Sequence, residues 1–415
     1  MALHRELVWI KAVAFLTCLM SVAWGRYQIA YLVALGLAPS RIGVLRAAGL
    51  GAKFVATPLW GAWADVHANS TFPVCVAVVA VVALLELYRS PAVVASFGWL
   101  FALKMARSAA NGVGTLADAL TLRVIERHPG AGYGAQRLWT GVAWGCGSYV
   151  VGSCIDAYGY DAIFLWTYAF GGATLVLLAR GPAFARAGDA GAPSPRLNRR
   201  GPLGNLWAYV RGLDRGGDMR PFLLLMCLYG VSMSLVEALL FLQMAREFES
   251  TKALMGLVTL VGTLTEYPFF LRSDALIRRF GQVKMLRVAH ACLAARLALL
   301  ACVTKATAPV ALPCLQLLHG PCFALAWTAA VSFAADASTP ALRATSQSVL
   351  STAYYVLGAG LGSVLWSSLY ERCGARTTYL LGAATVAAAG SALLPRLKGA
   401  KRADLPVSGG DAPGS

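Results

Sequence analysis

Four side chains stand where charge is expensive. Glu237, Glu266, Arg296 and His319 each lie inside a long apolar run, as in "VGTLTEYPFFL" (Val261 to Leu271), which encloses Glu266. If these runs cross a bilayer, a bare charge at the centre costs roughly 2.5 kcal/mol or more. At a helical rise of about 1.5 Å per residue, Glu237 lies roughly 14 Å from the end of its run, and Arg296 and His319 lie at comparable depth. None reaches water by snorkelling. A carboxylate or an imidazole held there can take up and release protons. The plainer reading is a set of fixed ion pairs around a hydrogen-bonded core histidine. Glu266 is shallower, roughly 9 Å from its run's end, and both readings stay open for it: an acid that satisfies the kink at Pro268, or a proton or gate carboxylate.

A second set lies on the fourth run. Lys104, Arg107, Asn111 and Asp118 fall within about 60° of one another on a helix of 3.6 residues per turn. A stripe of that kind cannot face lipid cheaply, so it is expected to face protein or a watery cavity. Asp118, near the run's end, also reads as a surface carboxylate.

The chemistry of enzymes and pumps has little to stand on. Nothing matches GxxxxGK[ST], HExxH or a nucleophile elbow. The ten cysteines are scattered through apolar runs with no CxxC pair, so neither a disulfide framework nor a metal site is expected, and no cofactor is implied.

The elements that position these groups follow from composition. The chain has 415 residues, 58% of them hydrophobic and only 13% charged, and its mean hydropathy is +0.62. Soluble proteins average about 25% charged residues. The deficit indicates an all-α membrane protein with many spans. Twelve apolar runs occur, six near 7–34, 41–64, 71–88, 92–120, 137–156 and 160–180, and six near 220–245, 253–271, 283–304, 308–334, 344–369 and 376–395. The expected division is an N-terminal six-helix bundle at 1–180, a linker at 181–219, a C-terminal six-helix bundle at 220–396 and a disordered tail at 397–415. The first apolar run continues past Lys11 and Arg26, too long for a cleavable signal.

The net charge of +17 comes from basic residues between the runs, which orient a membrane chain and do not suggest nucleic acid. The side bearing the termini and linker carries roughly 23 Lys and Arg, the other roughly 8. Both termini are therefore expected in the cytoplasm, with plasma and organelle membranes left open.

The halves share a faint repeat. "GSYVVGSCIDAYG" (Gly147 to Gly159) aligns with "GSVLWSSLYERCG" (Gly362 to Gly374), matching two glycines, two serines and an acidic position. A similar offset takes Arg26 to Glu237, Glu86 to Arg296, and the Lys104–Arg107 region to that of His319. Arg26 and Glu237 are accordingly expected to meet across the halves in one state.

The six-plus-six pattern resembles the major facilitator superfamily. "PLWGAWADVHANS" (Pro58 to Ser70) resembles its GxxADxxxx(R/K) loop, in which Gly61 would permit close helix contact and Asp65 would cap or pair at a cytoplasmic gate. His67, Ala68 and Asn69 depart from the basic residues usual there. "YGAQRLWTGVAWG" (Tyr133 to Gly145), containing Arg137 and Trp139, is similar to a stretch of the MFS_1-like group, related to lactose-permease and nucleoside–proton symporter families. "EYPFF" (Glu266 to Phe270) and "LQLLHGPCFALAWTAAVSFAA" (Leu315 to Ala335) fit the same group in order.

The resemblance implies alternating access around a cavity lined by the first, fourth, seventh and tenth spans, which carry Arg26, Lys104, Arg107, Asn111, Glu237 and His319. In sugar–proton relatives an arginine on the ninth span and a histidine near an acid on the tenth serve coupling. Arg296 and His319 are similarly placed, but Gln316 stands where the acid would be, so Glu266 or Glu237 would supply the carboxylate. Glu86 joins the candidate ion pairs. The implied function is secondary active transport of a small polar solute by a lipid-embedded monomer, as proton-coupled symport. The alternative is a receptor or scaffold that keeps the fold without turnover.

Overall fold

The computed structural model describes residues 2–66, 71–126, 128, 133–181, 218–338 and 342–397. Residues 182–217 of the expected linker and 398–415 of the expected tail lie outside the described residues. Every one of the twelve apolar runs is helical, and no strand occurs among the described residues. In chain order the spans are the first (Ala2–Ala34), second (Pro39–Val66), third (Phe72–Glu86), fourth (Phe97–Ala110 with Val113–Glu126), fifth (Tyr133–Tyr158) and sixth (Asp161–Ala179). The seventh (Met219–Arg246), eighth (Lys252–Leu271), ninth (Gln282–Leu300) and tenth (Ala308–Asp336) follow, and Thr345–Arg396 holds the eleventh and twelfth.

Eight described helical stretches are long and apolar enough to cross a membrane. The fourth span is interrupted at Asn111–Gly112, and the ninth carries Lys284, Arg287 and Arg296. Side chains such as Val55, Leu59, Trp99, Leu165 and Val310 are exposed on the outside of the bundle, the surface that hydrocarbon would cover. Glycines end two matching spans: Gly159 (φ 75°) after the fifth, and Gly374 (φ 76°) between the eleventh and twelfth. Both adopt the left-handed conformation that costs glycine least.

The first span packs on the fourth, fifth and sixth, and the seventh on the eleventh and twelfth. Between the halves, the fifth lies along the eighth and the second along the eleventh, while the first touches the seventh. The halves approach closely on both sides, at Gly141 against Tyr267 on the side of the termini and at two glycines on the opposite face, here the distal face. At Gly152 a methyl group would collide with the Lys252 carbonyl, and at Gly43 with the Ser363 carbonyl and the Ser367 hydroxyl.

Two carboxylates lock that face. Asp156, at the distal end of the fifth span, accepts hydrogen bonds from the Lys252 and Ala253 amides at 2.8 and 2.7 Å. These are orphan donors at the start of the eighth span, where the helix dipole also favours an anion. Glu371, at the distal end of the eleventh, accepts from the Ser40 amide at the start of the second, at 3.1 Å. Each acid therefore caps a helix of the other half. Replacing a helix-capping carboxylate by alanine costs about 1 kcal/mol. Asp156→Ala is expected to lower the melting temperature of the purified protein, and Glu371→Ala to lower it less, because it accepts one amide and not two. A differential scanning fluorimetry comparison checks both the sign and the order.

Candidate functional site

The last six spans build a buried chain of hydrogen bonds. Arg296, on the ninth, is 0% exposed. Its Nη1 lies 2.9 Å from His319 Nδ1, and its Nη2 donates to Gln316 Oε1 at 2.6 Å. A guanidinium can only donate, so Nδ1 is the acceptor and the imidazole proton resides on Nε2. Nε2 is 3.0 Å from Glu266 Oε1 on the eighth span, and donates to that carboxylate. His319 and Glu266 keep 18% and 20% side-chain exposure, so this end of the chain is reachable by solvent while the Arg296 end is not.

Local sequence makes this geometry. The tenth span crosses the eighth closely at Gly320, where a methyl group would strike the Thr265 carbonyl. Thr265 Oγ1 accepts from the Gly320 amide at 3.2 Å and donates to the Gly262 carbonyl of its own helix at 2.7 Å, with the Gln316 carbonyl 3.3 Å away. Pro321 then opens a π turn, Pro321–Leu325, just past His319. Two further π turns, Leu235–Leu239 and Thr352–Gly360, contain Glu237 and Tyr354. Such wide turns re-aim side chains and are frequent at functional sites. In the eighth span Pro268 leaves the Leu264 carbonyl without its helical donor, two residues from Glu266.

The first six spans supply the facing wall. Arg46 on the second span pairs with Glu237 on the seventh at 3.2 Å, across the halves. Arg26 on the first lies 4.3 Å from the ring centre of Phe241 and 5.6 Å from that of Trp144. It is near enough to both Glu237 and Glu266 to feel their charge. Lys104 Nζ donates to Gln28 Oε1 at 2.5 Å. Arg107 is 7% exposed and sits over the Trp24 ring, 5.2 Å from its centre. The carboxamide of Asn111 stands at the end of the first segment of the fourth span.

In the described state Glu237 is held by Arg46 and Arg26 stacks on aromatic rings, so this is not the state in which Arg26 would meet Glu237. Other expectations are corrected. Glu86 ends the third span's helix on the distal face, 53% exposed, with Tyr168 and Arg89 beside it. The stripe from Lys104 to Asp118 does not run along one helix, because the fourth span breaks at Asn111–Gly112, where Gly112 packs on the Trp60 ring. Gly61 makes no close helix contact, since a methyl group there would meet nothing within 4 Å. The side chains of Asp65 and Arg137 lie outside the described residues, and Trp139 is exposed, edge-on to Phe15. Sequence reasoning passed over Arg46, Lys53, Gln28 and Trp24. The cost of charge within an apolar run, applied to the second span, points to the first two.

Comparison with known proteins adds the following. The model of the MFS_1 like family matches residues 9–381. The maltose permease of Geobacillus stearothermophilus is 32% identical over 247 residues, 58% of this chain and 57% of that protein, so the match spans little more than half of that relative. A point mutant of the nucleoside transporter NupG superposes with a TM-score of 0.80 at 16% identity, over 95% of this chain and 100% of that one. A bacterial homologue of the human lysosomal transporter Spinster, in an inward-facing and unoccupied conformation, gives 0.67 at 13% identity, over 95% and 96%. At these identities the solved structures show a shared fold.

The pairing across the halves is open to measurement. Contacting charge pairs show interaction energies of about 0.5–3 kcal/mol in double-mutant cycles. A cycle on Arg46→Met and Glu237→Gln, read as melting temperature, is expected to give a larger coupling than the same cycle on Arg26→Met and Glu237→Gln.

Proposed function

The chain belongs to the MFS_1 like family, and on that premise we propose that it is a secondary transporter: it carries a small polar solute by alternating access, coupled to protons. The carrying observation is the hydrogen-bonded run from water-reachable Glu266, through His319, to fully buried Arg296. It lies against the space between two halves that are locked together distally by Asp156 and Glu371.

The orientation rests on charge. The excess of basic residues on the side of the termini favours a cytoplasmic position for that face. The distal face is then external and shut, and the described state is inward-facing. Arg46, Glu237, His319 and Glu266 are 18–25% exposed although they lie deep between the halves. With the distal side locked, their access is from the cytoplasmic side.

The steps follow from donors and acceptors. Ionised Glu266 accepts from His319 Nε2, and the other imidazole nitrogen accepts from Arg296. A proton arriving from the cytoplasmic side meets Glu266 first. Once neutral, Glu266 no longer holds the imidazole by a charge-assisted bond. A proton on Nδ1 would set two donors face to face and expel Arg296 from the imidazole. Either event changes the charge facing Arg26 and the cross-half pair Arg46–Glu237. Solute binding in the same space competes for those groups. Both ligands thereby bias one equilibrium between states, which coupling requires. Opening outward then has to release the helix caps at Asp156 and Glu371.

Gradient-driven uptake tests this. One proton per solute and one pH unit can sustain about tenfold accumulation. Proteoliposomes are supplied with a panel of sugars, nucleosides and organic anions, and internal pH is followed with a trapped dye. Wild type is expected to acidify or alkalinise its lumen with a transported solute and to concentrate that solute. Glu266→Gln is expected to lose accumulation yet keep exchange of labelled for unlabelled solute. Accumulation by Glu266→Gln equal to wild type would remove this carboxylate from coupling.

A further inference from the structure

Around Arg46, the first half gathers more positive than negative charge. Arg46, Gly49 and Lys53 occupy one face of the second span, at intervals of three and four residues. Lys104 of the fourth span lies against Gly49: a methyl group there would be 2.5 Å from Lys104 Cε and 3.3 Å from its ammonium. The lysine is thereby seated between Arg46 and Lys53. Arg107, one turn further along, lies over Trp24. Arg46, Lys53 and Arg107 are all near enough for Lys104 to be repelled by them.

Compensation is sparse. Among the described residues, the only carboxylate paired with this group is Glu237, on Arg46. Lys104 has the neutral Gln28 oxygen, and Arg107 has an aromatic face. Arg26, adjoining on the first span, also has aromatic faces and, among the described residues, no carboxylate at ion-pair distance. The unused polar atoms are mostly donors, with the Tyr88 hydroxyl, which can also accept, beside Trp24. The Nε–H groups of Arg26, Arg46 and Arg107 and the indole N–H of Trp24 are buried without a hydrogen-bond partner. Arg107 and Trp24 are 7% and 2% exposed, so these are built positions and not surface arginines.

Charges of one sign this close, within a membrane-embedded bundle, are costly unless something of opposite sign joins them. We propose that the transported solute is a small organic anion, and that Lys104 and Arg107 bind its carboxylate, sulfonate or phosphate group, with Trp24 donating beside them. The inference rests on the transport reading for the word "transported", and on the wall alone for the word "anion". It also gives the cross-half pair a role. An anion arriving at Lys104 and Arg107 draws on the same positive field that holds Glu237, so binding loosens Arg46 from the second half.

Matched probes test it. The purified protein is titrated with glucuronate against glucose, a nucleoside monophosphate against its nucleoside, and phenylpropionate against its amide, at millimolar concentration. Thermal shift and calorimetry read binding. At least one anion is expected to bind at least about tenfold more tightly than its neutral partner. Lys104→Gln and Arg107→Gln are expected to remove that preference, and Lys104→Arg to keep most of it. Size-exclusion profiles and ligand-free melting confirm that each variant folds. If a variant does not, the matched-pair preference of wild type still decides. Equal binding of the neutral partners, binding of neutral partners only, no shift with any anion, or a preference that survives both glutamine variants overturns the inference. Anion-selective binding without flux in liposomes would instead overturn the transport reading and leave this one standing.

Discussion

Arg296 is a cation with no exposed surface, set among helices that are apolar on nearly every side. Taking such a group out of water costs several kcal/mol unless its donors are met. Its two terminal nitrogens are met by His319 and Gln316, its Nε–H has no hydrogen-bond partner among the described residues, and the charge is answered one imidazole away by Glu266. Much of the second half's irregularity serves this arrangement. The close crossing at Gly320, the π turn that Pro321 begins and the Pro268 break beside Glu266 all bring the eighth, ninth and tenth spans into register around one side chain. The imidazole stands between a group that can only donate and a group that, when ionised, can only accept. It is satisfied in one tautomer, and a change at either neighbour disturbs it.

The two halves meet through a second economy of partners. Helix ends carry amides with no helical acceptor. On the distal face those of the eighth and second spans are taken by acids from the opposite half, Asp156 and Glu371. The bonds that close the distal face are therefore few and polar, set beside contacts that only glycine permits at Gly43 and Gly152. These polar bonds sit beside apolar side chains of both halves, among them Ile29, Ile42, Leu239 and Leu242. Deeper in, the Arg46–Glu237 pair ties the second span to the seventh, next to Lys104, which donates to a neutral oxygen, and Arg26 and Arg107, which lie over aromatic rings.

Much of this was legible in the sequence. Periodicity and length gave twelve helical runs, and the cost of intramembrane charge singled out Glu237, Glu266, Arg296 and His319. The weak match of Gly147–Gly159 with Gly362–Gly374 set Asp156 against Glu371 and Gly159 against Gly374. In the structure both acids cap helices of the other half and both glycines end spans in the left-handed conformation. The substitution of Gln316 for an acid pointed to another carboxylate, and Glu266 occupies that place. What stayed hidden was lateral. The pairing of Arg46 with Glu237, and the meeting of Glu86 with Tyr168, depend on which helices are neighbours and at what height, which no single helix encodes. The break in the fourth span had a local signal, since Asn-Gly favours a turn. It was outweighed by the apolar run around it.

The state of His319 is the point on which coupling turns, and nitrogen NMR reads it directly. Protein labelled at its five histidines, with His319 assigned by loss of its signals in His319→Gln, can be recorded at neutral pH. The geometry requires an unprotonated Nδ1 and a protonated Nε2, with the Nδ1 signal moving when Arg296 is replaced by lysine. A doubly protonated imidazolium, or a proton on Nδ1, would contradict the arrangement of Arg296, His319 and Glu266 on which the proposed mechanism rests.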